Sequence, residues 1–336
     1  MTSLQRTLDF ISGRMTDVPP FHPIIMQFAA DYAGTDYCDF CLKPEKKVHA
    51  MIECADHFNL DWVTVMSDPY VEADGFGLQV AYPKNSLPHN VGLLINDISD
   101  VKNLKVPEFC ESQRMQNRVK EIELFNQQVG EKYFIVGWAE GPLAEYADLR
   151  GLTDTCLDLY DHETEVNQAF DIIIENAMNL IRAQVDAGAR CIGIGDAACS
   201  QISPNFYKHY VHNRERELVD YTHSLGAMVK LHICGNTTAI LPDMISTGAD
   251  IIDVDHLVAD MFIFTPLLGD HQVLSGNSDP VEVVMRGTGD TIMASVKKCH
   301  METAGRGIVS AGCEIPLGTS VENFKAYSKA ARSLRS

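Results

Sequence analysis

Three residues of this sequence have the types that bind a soft metal ion. His232 and Cys234 lie two apart in VKLHICG, and Cys313 follows much later in SAGCEIP. Residues two apart in a strand point to the same side, so the imidazole and the first thiol can face one ion. Zinc prefers thiolate and imidazole ligands, and a catalytic zinc site keeps one exchangeable position beside three protein ligands. The three residues therefore predict a zinc site, against the plainer interpretation of a buried histidine and two core cysteines.

Other polar residues also follow the ends of predicted strands. Asp255, in DIIDVDH, could supply an oxygen as a fourth and weaker zinc ligand. Asp68, Asp196, Asn236 and Asn277 are candidates for contacts with a substrate. Strands end where solvent begins, however, and asparagines commonly cap loops. Polarity at these four positions is therefore a weaker indication of function than the histidine and the two cysteines.

The residues that carry this chemistry follow short apolar runs that alternate with amphipathic segments. β-branched runs predict eight strands, at 23–28, 61–68, 133–140, 191–198, 228–234, 250–256, 272–278 and 307–313. Apolar residues at three- and four-residue spacing predict helices, most clearly at 46–59 and 165–188. This alternation favours a single (β/α)8 TIM barrel, in which active sites lie at the carboxyl ends of the strands. The histidine and the two cysteines would meet there.

A single domain over residues 1–336 accounts for the whole pattern, because no linker or internal repeat interrupts it. Two connections are longer than a barrel requires: 69–110, with a predicted hairpin at GLQVAYP, and 141–164, interpreted as an extended loop. Insertions at these points are expected on the catalytic face. Thr319 and Glu322 predict a capping box at the start of the last helix.

Composition and charge exclude several classes of protein. The formal net charge of -19 argues against nucleic-acid binding, because a phosphate-binding surface needs a basic stripe. The stretch MTSLQRTLDFISGR lacks the apolar core of a signal peptide, and no stretch is long enough to span a membrane. Ten cysteines without regular spacing indicate reduced thiols. We therefore expect a cytoplasmic protein with neither a membrane nor a nucleic-acid partner.

The longest motifs resemble a known family. LHICGNTTAILPDMISTGADIIDVDH, LSGNSDP and SAGCEIPLGTSVENFKA are similar to the uroporphyrinogen decarboxylase superfamily, and within it to the corrinoid-dependent, methylcobamide:coenzyme M type methyltransferases. The resemblance extends from GRMTDVPPFHP to the last helix. It implies a (β/α)8 barrel that binds zinc through an HxC…C motif, which His232, Cys234 and Cys313 match. It also implies an acidic fourth ligand in the absence of thiol, and Asp255 falls at a suitable place.

True uroporphyrinogen decarboxylases differ from this chain at two informative places. They hold a porphyrinogen with cationic residues in an RQAGR-like segment, where this chain reads IMQFAADYAG without an arginine. They also carry a histidine near the last strand, where this chain has Cys313. Asp68 does match the position of their essential aspartate, which we interpret as shared ancestry. The resemblance therefore favours the methyltransferase branch over the decarboxylases.

The resemblance implies a function, with alternatives. A methylated corrinoid, carried by a partner protein that docks over the two long connections, would give its methyl group to a zinc-bound thiol such as coenzyme M. Arg150 is the obvious arginine near that face for a sulfonate, although a solvated surface arginine is the plainer interpretation. The alternatives are a homocysteine methyltransferase of the zinc-dependent methionine synthase type, a metal-free decarboxylase, and a non-catalytic binding protein. A homodimer is a further expectation.

Overall fold

The centre of the molecule is a curled parallel sheet. The computed structural model describes residues 1–335. Its strands are β1 Trp62–Thr64, β2 Val80–Ala81, β3 His89–Asn90, β4 Phe134–Glu140, β5 Cys191–Gly195, β6 Met228–Ile233, β7 Ile251–Val254, β8 Val273–Ser278 and β9 Gly307–Ala311. Seven of them pair in the order β1-β4-β5-β6-β7-β8-β9, and β2 with β3 forms a separate antiparallel hairpin. The α/β class is thus confirmed, as a half-barrel of seven parallel strands.

The first predicted strand, at 23–28, is wrong. The chain forms no strand there, and Phe21 makes an isolated parallel bridge to Val309 instead. The carbonyl of Phe21 also accepts a hydrogen bond of 3.0 Å from the amide of Asp61, just before β1. Pro19, Pro20 and Pro23 flank the bridge, and a proline has no amide hydrogen to donate to a sheet. These prolines explain why a single bridge replaces an eighth full strand.

Helices surround the sheet. They are α1 Ser3–Ile11, α2 Gln27–Tyr32, α3 Tyr37–Leu42, α4 Pro44–Phe58, α5 Val71–Phe76, α6 Gln113–Val129, α7 Pro142–Arg150, α8 Leu152–Asp161, α9 Glu163–Asp186, α10 Pro204–Phe206, α11 His212–Ser224, α12 Leu241–Ser246, α13 Gly289–Glu302 and α14 Val321–Arg332. The helices predicted at 46–59 and 165–188 are confirmed as α4 and α9. None of the helices within residues 1–335 has the length and apolarity that crossing a bilayer requires.

The inner face of the sheet changes from apolar to polar along the strands. At the amino ends, the inner side chains pack against Phe10 and Ile11 of α1, which closes this end. The strand residues of this cluster are Trp62, Phe134, Val136, Cys191, Ile251, Val273 and Ile308. Each large apolar side chain buried in this way contributes about 1.5–3 kcal/mol. Polar side chains are therefore confined to the middle and the carboxyl end, where the candidate ligands lie.

The two long connections pack together beyond the carboxyl ends of the strands. The hairpin predicted in GLQVAYP is confirmed, since Val80 pairs with Asn90. The extended loop predicted at 141–164 is wrong, because α7 and α8 form most of it. Pro142 in the first turn of α7 and Gly151 between the helices are the positions at which these residues favour helix ends. The carbonyl of Leu149 accepts the amides of the other connection, at Leu94 and Ile95.

Arg150 is buried, and the expectation of a solvated arginine is wrong. Its Nε donates to Asp158 Oδ2 over 2.8 Å. Its Nη1 donates to the carbonyl of Asn96 over 2.8 Å. The guanidinium therefore ties the two connections together and has no free side for a sulfonate.

The last helix begins one residue later than its predicted cap. The hydroxyl of Ser320 accepts the amide of Asn323 over 3.1 Å. The hydroxyl of Thr319 instead donates to the carbonyl of Pro316 over 2.8 Å. The capping box predicted from Thr319 and Glu322 is therefore wrong, because Thr319 completes the preceding turn.

Candidate metal centre

Three ligand atoms meet at the carboxyl end of the sheet. His232 Nε2 lies 2.9 Å from Cys234 Sγ, at the end of β6. Cys234 Sγ lies 3.2 Å from Cys313 Sγ, just after β9. All three atoms lie within 4.8 Å of one another, so one ion can contact them together. His232 is buried, and both cysteines are half-buried, so the cluster faces the open end of the sheet.

The local backbone explains how the chain brings His232 and Cys234 to one point. His232 pairs with Gly195 of β5 and Asp253 of β7 in the parallel register. Gly235 follows Cys234 with φ of 89°, in the left-handed region that favours glycine. The chain therefore turns away directly after Cys234 and leaves its sulfur at the open end.

A buried ion pair positions the imidazole of His232 from below. Asp253 Oδ2 lies 2.6 Å from His232 Nδ1 and 3.1 Å from Lys230 Nζ. Burial alone would raise the pKa of Asp253, but Lys230 and His232 outweigh it and hold that pKa well below its usual range. An ionised carboxylate on Nδ1 leaves Nε2 as the ligand atom, which is the common arrangement around a metal-bound histidine.

The two thiols strongly affect each other's ionisation. Hydrogen bonding from Cys234 lowers the pKa of Cys313 to about 4, with a further contribution from His232. The same contact, together with burial, raises the pKa of Cys234. The two sulfurs therefore titrate as one unit, and a cation at this point would stabilise both thiolates.

The donor set fits zinc. Two sulfurs and one imidazole nitrogen are the ligands that this ion prefers, and three protein ligands are the number found in catalytic sites. Asp255 lies beside the cluster: its Oδ2 accepts the amide of Gly235 over 2.9 Å, and its Oδ1 lies 2.5 Å from His256 Nδ1. The role of Asp255 as a fourth ligand stays a prediction.

Asp68 makes contacts within the protein. Its Oδ2 lies 2.5 Å from Arg114 Nη2 of α6 and accepts the hydroxyl of Ser67 over 2.7 Å. Although burial alone would raise the pKa of Asp68, Arg114 is the largest cause that lowers it below its usual value. These bonds hold Asp68 to Arg114 and Ser67 within the protein. A contact between Asp68 and a substrate stays a prediction.

Asp196 lies at the end of β5 and caps α7. It is fully buried, and its Oδ1 accepts the amide of Ala144 over 2.7 Å. Burial raises the pKa of this carboxyl to about 7. Cys199 and Glu215 lie close enough to form a second group of ligand atoms with it, and all three residues are buried. The substrate role of Asp196 stays a prediction.

The two asparagines stabilise loops. Asn236 accepts the amide of Thr238 over 3.1 Å. Asn277 donates to the carbonyl of Val258 over 2.7 Å and so joins β8 to the loop after β7. The bonds that both asparagines make within the protein are those expected of residues that cap loops. The substrate contacts predicted for them stay predictions.

Sequence reasoning missed one residue at this end of the sheet and assigned no role to a second. Asp253 lies two residues before Asp255 in DIIDVDH and therefore on the same side of its strand, which was the available signal. Glu140 ends β4 and accepts the indole hydrogen of Trp138 over 2.8 Å. Its position at a strand end was visible in the sequence, but its nearness to other carboxylates was not.

Comparison with known proteins gives the relationships of the chain. The model of the family Uroporphyrinogen decarboxylase (URO-D) matches residues 2–334. The methylcobamide:CoM methyltransferase MtbA of Methanosarcina mazei is 28% identical over 281 residues, 81% of this chain and 80% of that protein. The methylcobamide:CoM methyltransferase MtaA of Methanosarcina barkeri is 30% identical over 207 residues, 61% of this chain and 60% of that protein. A uroporphyrinogen decarboxylase of Synechococcus sp. is 27% identical over 288 residues, 82% of this chain and 79% of that protein.

Solved structures show the same fold. A methyltransferase from Methanosarcina mazei superposes with a TM-score of 0.88 over 98% of both chains, at 24% identity. A B12-independent methionine synthase from Shewanella sp. superposes with a TM-score of 0.59 over 86% of this chain and 85% of that chain, at 11% identity. Because the family model covers nearly the whole sequence, the chain belongs to the uroporphyrinogen decarboxylase family, and its relatives include the methylcobamide:CoM methyltransferases.

Proposed function

We propose that this protein is a zinc-dependent methyltransferase that moves a methyl group from a methylated corrinoid to a thiol such as coenzyme M. The observation that carries the proposal is the convergence of His232 Nε2, Cys234 Sγ and Cys313 Sγ within 4.8 Å at the open end of the sheet. The names of the relatives MtbA and MtaA supply the donor and the acceptor class.

The chemistry requires a sulfur nucleophile. A free thiol is mostly protonated near neutral pH, and only the thiolate attacks carbon well. Zinc bound to the three ligands would lower the pKa of the incoming thiol so that its proton leaves to solvent. In the transfer, a sulfur–carbon bond forms, the cobalt–carbon bond breaks, and both electrons of that bond stay on cobalt. No other oxidant or reductant is needed.

The residues of the chain have separate tasks in this proposal. Cys234 and Cys313 would supply negative charge that keeps the acceptor sulfur electron-rich. Asp253 holds Nδ1 of His232, over 2.6 Å, so that Nε2 stays directed at the two sulfurs. Asp255 would complete the ligand set before the thiol arrives, since its carboxylate contacts the amide next to Cys234. The donor would reach this end of the sheet on a partner corrinoid protein.

The first test is the zinc content of the purified chain. We expect about one zinc per chain and a loss of most of it in Cys313→Ala, because two ligands hold zinc far more weakly than three. Cys110→Ala, at an exposed cysteine away from the cluster, is the matched control and should keep its zinc. Metal is measured by atomic emission after purification without chelators or oxidants.

Two results would contradict the proposal. If the protein contained no zinc after such handling, the metal-free decarboxylase would be favoured over the methyltransferase. If zinc-loaded protein did not detectably demethylate methylcobalamin with any thiol tested, even beside its corrinoid partner, only a binding role would remain.

A further inference from the structure

A group of carboxylates lies beside the candidate metal centre at the same end of the sheet. It consists of Glu72 on α5, Glu140 at the end of β4, and Glu145 and Asp148 on α7. The backbone amide of Glu140 donates to Glu72 Oε1 over 2.9 Å. Burial and the neighbouring carboxylates raise the pKa of Glu140 and of Glu145 well above the usual value. We call these four residues the acidic group.

Four of the eight carboxylate oxygens of the acidic group are buried without a partner in the described chain. Both carboxylate oxygens of Glu145 are buried without a hydrogen bond among residues 1–335, and so are Glu72 Oε2 and Asp148 Oδ2. Glu145 is 1% exposed and Glu72 is 2% exposed, so solvent does not satisfy them freely. An unsatisfied buried polar atom costs about 1–3 kcal/mol, so a group that keeps four of them indicates a missing partner.

The cations nearby are bound elsewhere. Arg150 is paired with Asp158, and Lys230 with Asp253. Arg114 is paired with Asp68. Arg118 is the remaining arginine beside the acidic group; its Nη1 donates to the carbonyl of Trp138 over 3.4 Å. Its Nε and Nη2 are buried without a hydrogen bond among residues 1–335. One guanidinium therefore faces four carboxyl groups, and a bound ammonium group would add a second positive charge beside them.

The sheet register places Glu140 in line with the metal ligands. Glu140 pairs with Gly195, and Gly195 pairs with His232, so Glu140 and His232 point to the same side two strands apart. Their backbones are therefore separated by roughly 10 Å, which is two strand spacings. Between them, Gly195 has no side chain. A Cβ placed there would lie 2.7 Å from the indole of Trp138 and 3.2 Å from Glu140 Oε2, so the carboxylate reaches over this glycine.

The indole of Trp138 lies near both Glu140 and His232. Its ring centre lies 6.3 Å from that of His232. Its Nε1 donates to Glu140 Oε1, which leaves Glu140 Oε2 free to contact a ligand. A carboxylate next to an aromatic face is an environment that recognises ammonium groups.

We propose that the methyl acceptor is an aminothiol. Its sulfur binds at His232, Cys234 and Cys313, and its ammonium group pairs with the acidic group through Glu140. This inference rests on the proposed function and names its substrate class. A sulfonate on the same short chain would meet carboxylates where an aminothiol meets an opposite charge. The acceptor of this chain thus differs in charge from the coenzyme M in the names of MtbA and MtaA.

The test compares three short thiols with the zinc-loaded full chain and methylcobalamin as donor. They are 2-aminoethanethiol, 2-mercaptoethanol and 2-mercaptoethanesulfonate, and the readout is the loss of the methylcobalamin absorbance. We expect kcat/KM for the aminothiol to exceed that for the sulfonate by at least about tenfold, since a sulfonate cannot donate the charge-assisted hydrogen bond that an ammonium group donates to a carboxylate. In Glu140→Gln, that ratio should fall by about fivefold or more.

A matched variant and a binding measurement complete the test. Glu175→Gln makes the same change of charge at an exposed position of α9 and should leave the ratio at its original value. Calorimetric titration with 2-(methylthio)ethylamine reports the ammonium contact without turnover, because this compound has no free thiol to be methylated. Its Kd should rise by about tenfold in Glu140→Gln.

The outcomes separate this inference from the proposed function. Turnover of the sulfonate at a rate equal to or above that of the aminothiol would overturn the aminothiol proposal and leave the methyltransferase standing. An unchanged ratio and unchanged Kd in a folded Glu140→Gln variant would also overturn it. If none of the three thiols is methylated in zinc-loaded protein, even with the corrinoid partner, the proposed function itself fails.

Discussion

At the scale of single residues, the centre depends on charges that are balanced before any ligand arrives. Asp253 contacts both His232 and Lys230, and all three are at most 2% exposed. A buried carboxylate with two partners is stable because each partner offsets the cost of its desolvation. The same carboxylate fixes the orientation of the imidazole. Removing it therefore affects both the ligand and the buried lysine.

We predict that Asp253→Asn weakens zinc binding by about 10–100-fold, because a neutral amide neither holds Nδ1 as firmly nor raises the basicity of Nε2. Competition with a chromophoric chelator measures the affinity. The single change also leaves Lys230 buried without a counter-charge, which destabilises the fold. The double variant Lys230→Met/Asp253→Asn removes that charge, so it should regain stability and keep the weakened affinity. Full affinity in this folded double variant would disprove the positioning role of Asp253.

At the scale of elements, the strands were predictable and the connections were not. Seven predicted strands are confirmed because β-branched runs lie between polar segments that face solvent. The first failed because Pro19, Pro20 and Pro23 cannot donate to a sheet, although Ile24 and Ile25 have the right composition. The connection at 141–164 was interpreted as a loop because it follows a predicted strand. Its own residues were not tested for helical spacing, so α7 and α8 were missed.

The site was predictable only as far as spacing along one strand reaches. His232 and Cys234 share a side of β6 by periodicity, and Cys313 was predicted from its residue type at the end of another strand, with support from the resemblance. The partner of His232, Asp253, lies on the neighbouring strand, and only the register between β6 and β7 brings them together. The acidic group requires three elements, α5, β4 and α7, to meet, which no local pattern reveals. The sequence therefore did not show which charged side chains of different strands and helices lie together.

The N-cap of the last helix gives a prediction at the element scale. Ser320→Ala should lower the free energy of unfolding by about 1 kcal/mol, because the amide of Asn323 loses the hydroxyl that accepts its hydrogen bond. Denaturant unfolding, followed by circular dichroism, measures it. Glu322→Ala changes the other member of the expected capping box and should cost less than about 0.5 kcal/mol. A larger effect at Glu322 than at Ser320 would reinstate the predicted box.

At the scale of the whole molecule, the two long connections give the open end of the sheet an apolar outer surface. They are joined through Leu149 and Arg150, so they form one layer. Exposed apolar side chains on this layer include Val91 at 55% and Leu157 at 55%. Exposed apolar side chains that cluster on a functional face are typical of protein docking. We expect the corrinoid protein of the proposed function to contact this layer.

The resulting prediction concerns how the enzyme uses a protein-bound donor compared with a free one. Leu157→Asp should raise KM for the methylated corrinoid protein by about tenfold or more, because a buried charge replaces an apolar contact. The KM for free methylcobalamin should change far less, since that donor needs no docking layer. Met15→Asp is the matched control: Met15 is 87% exposed, but it follows α1 at the opposite, amino end of the sheet. If Leu157→Asp and Met15→Asp gave the same ratio of the two KM values, the corrinoid protein would have to approach by another surface.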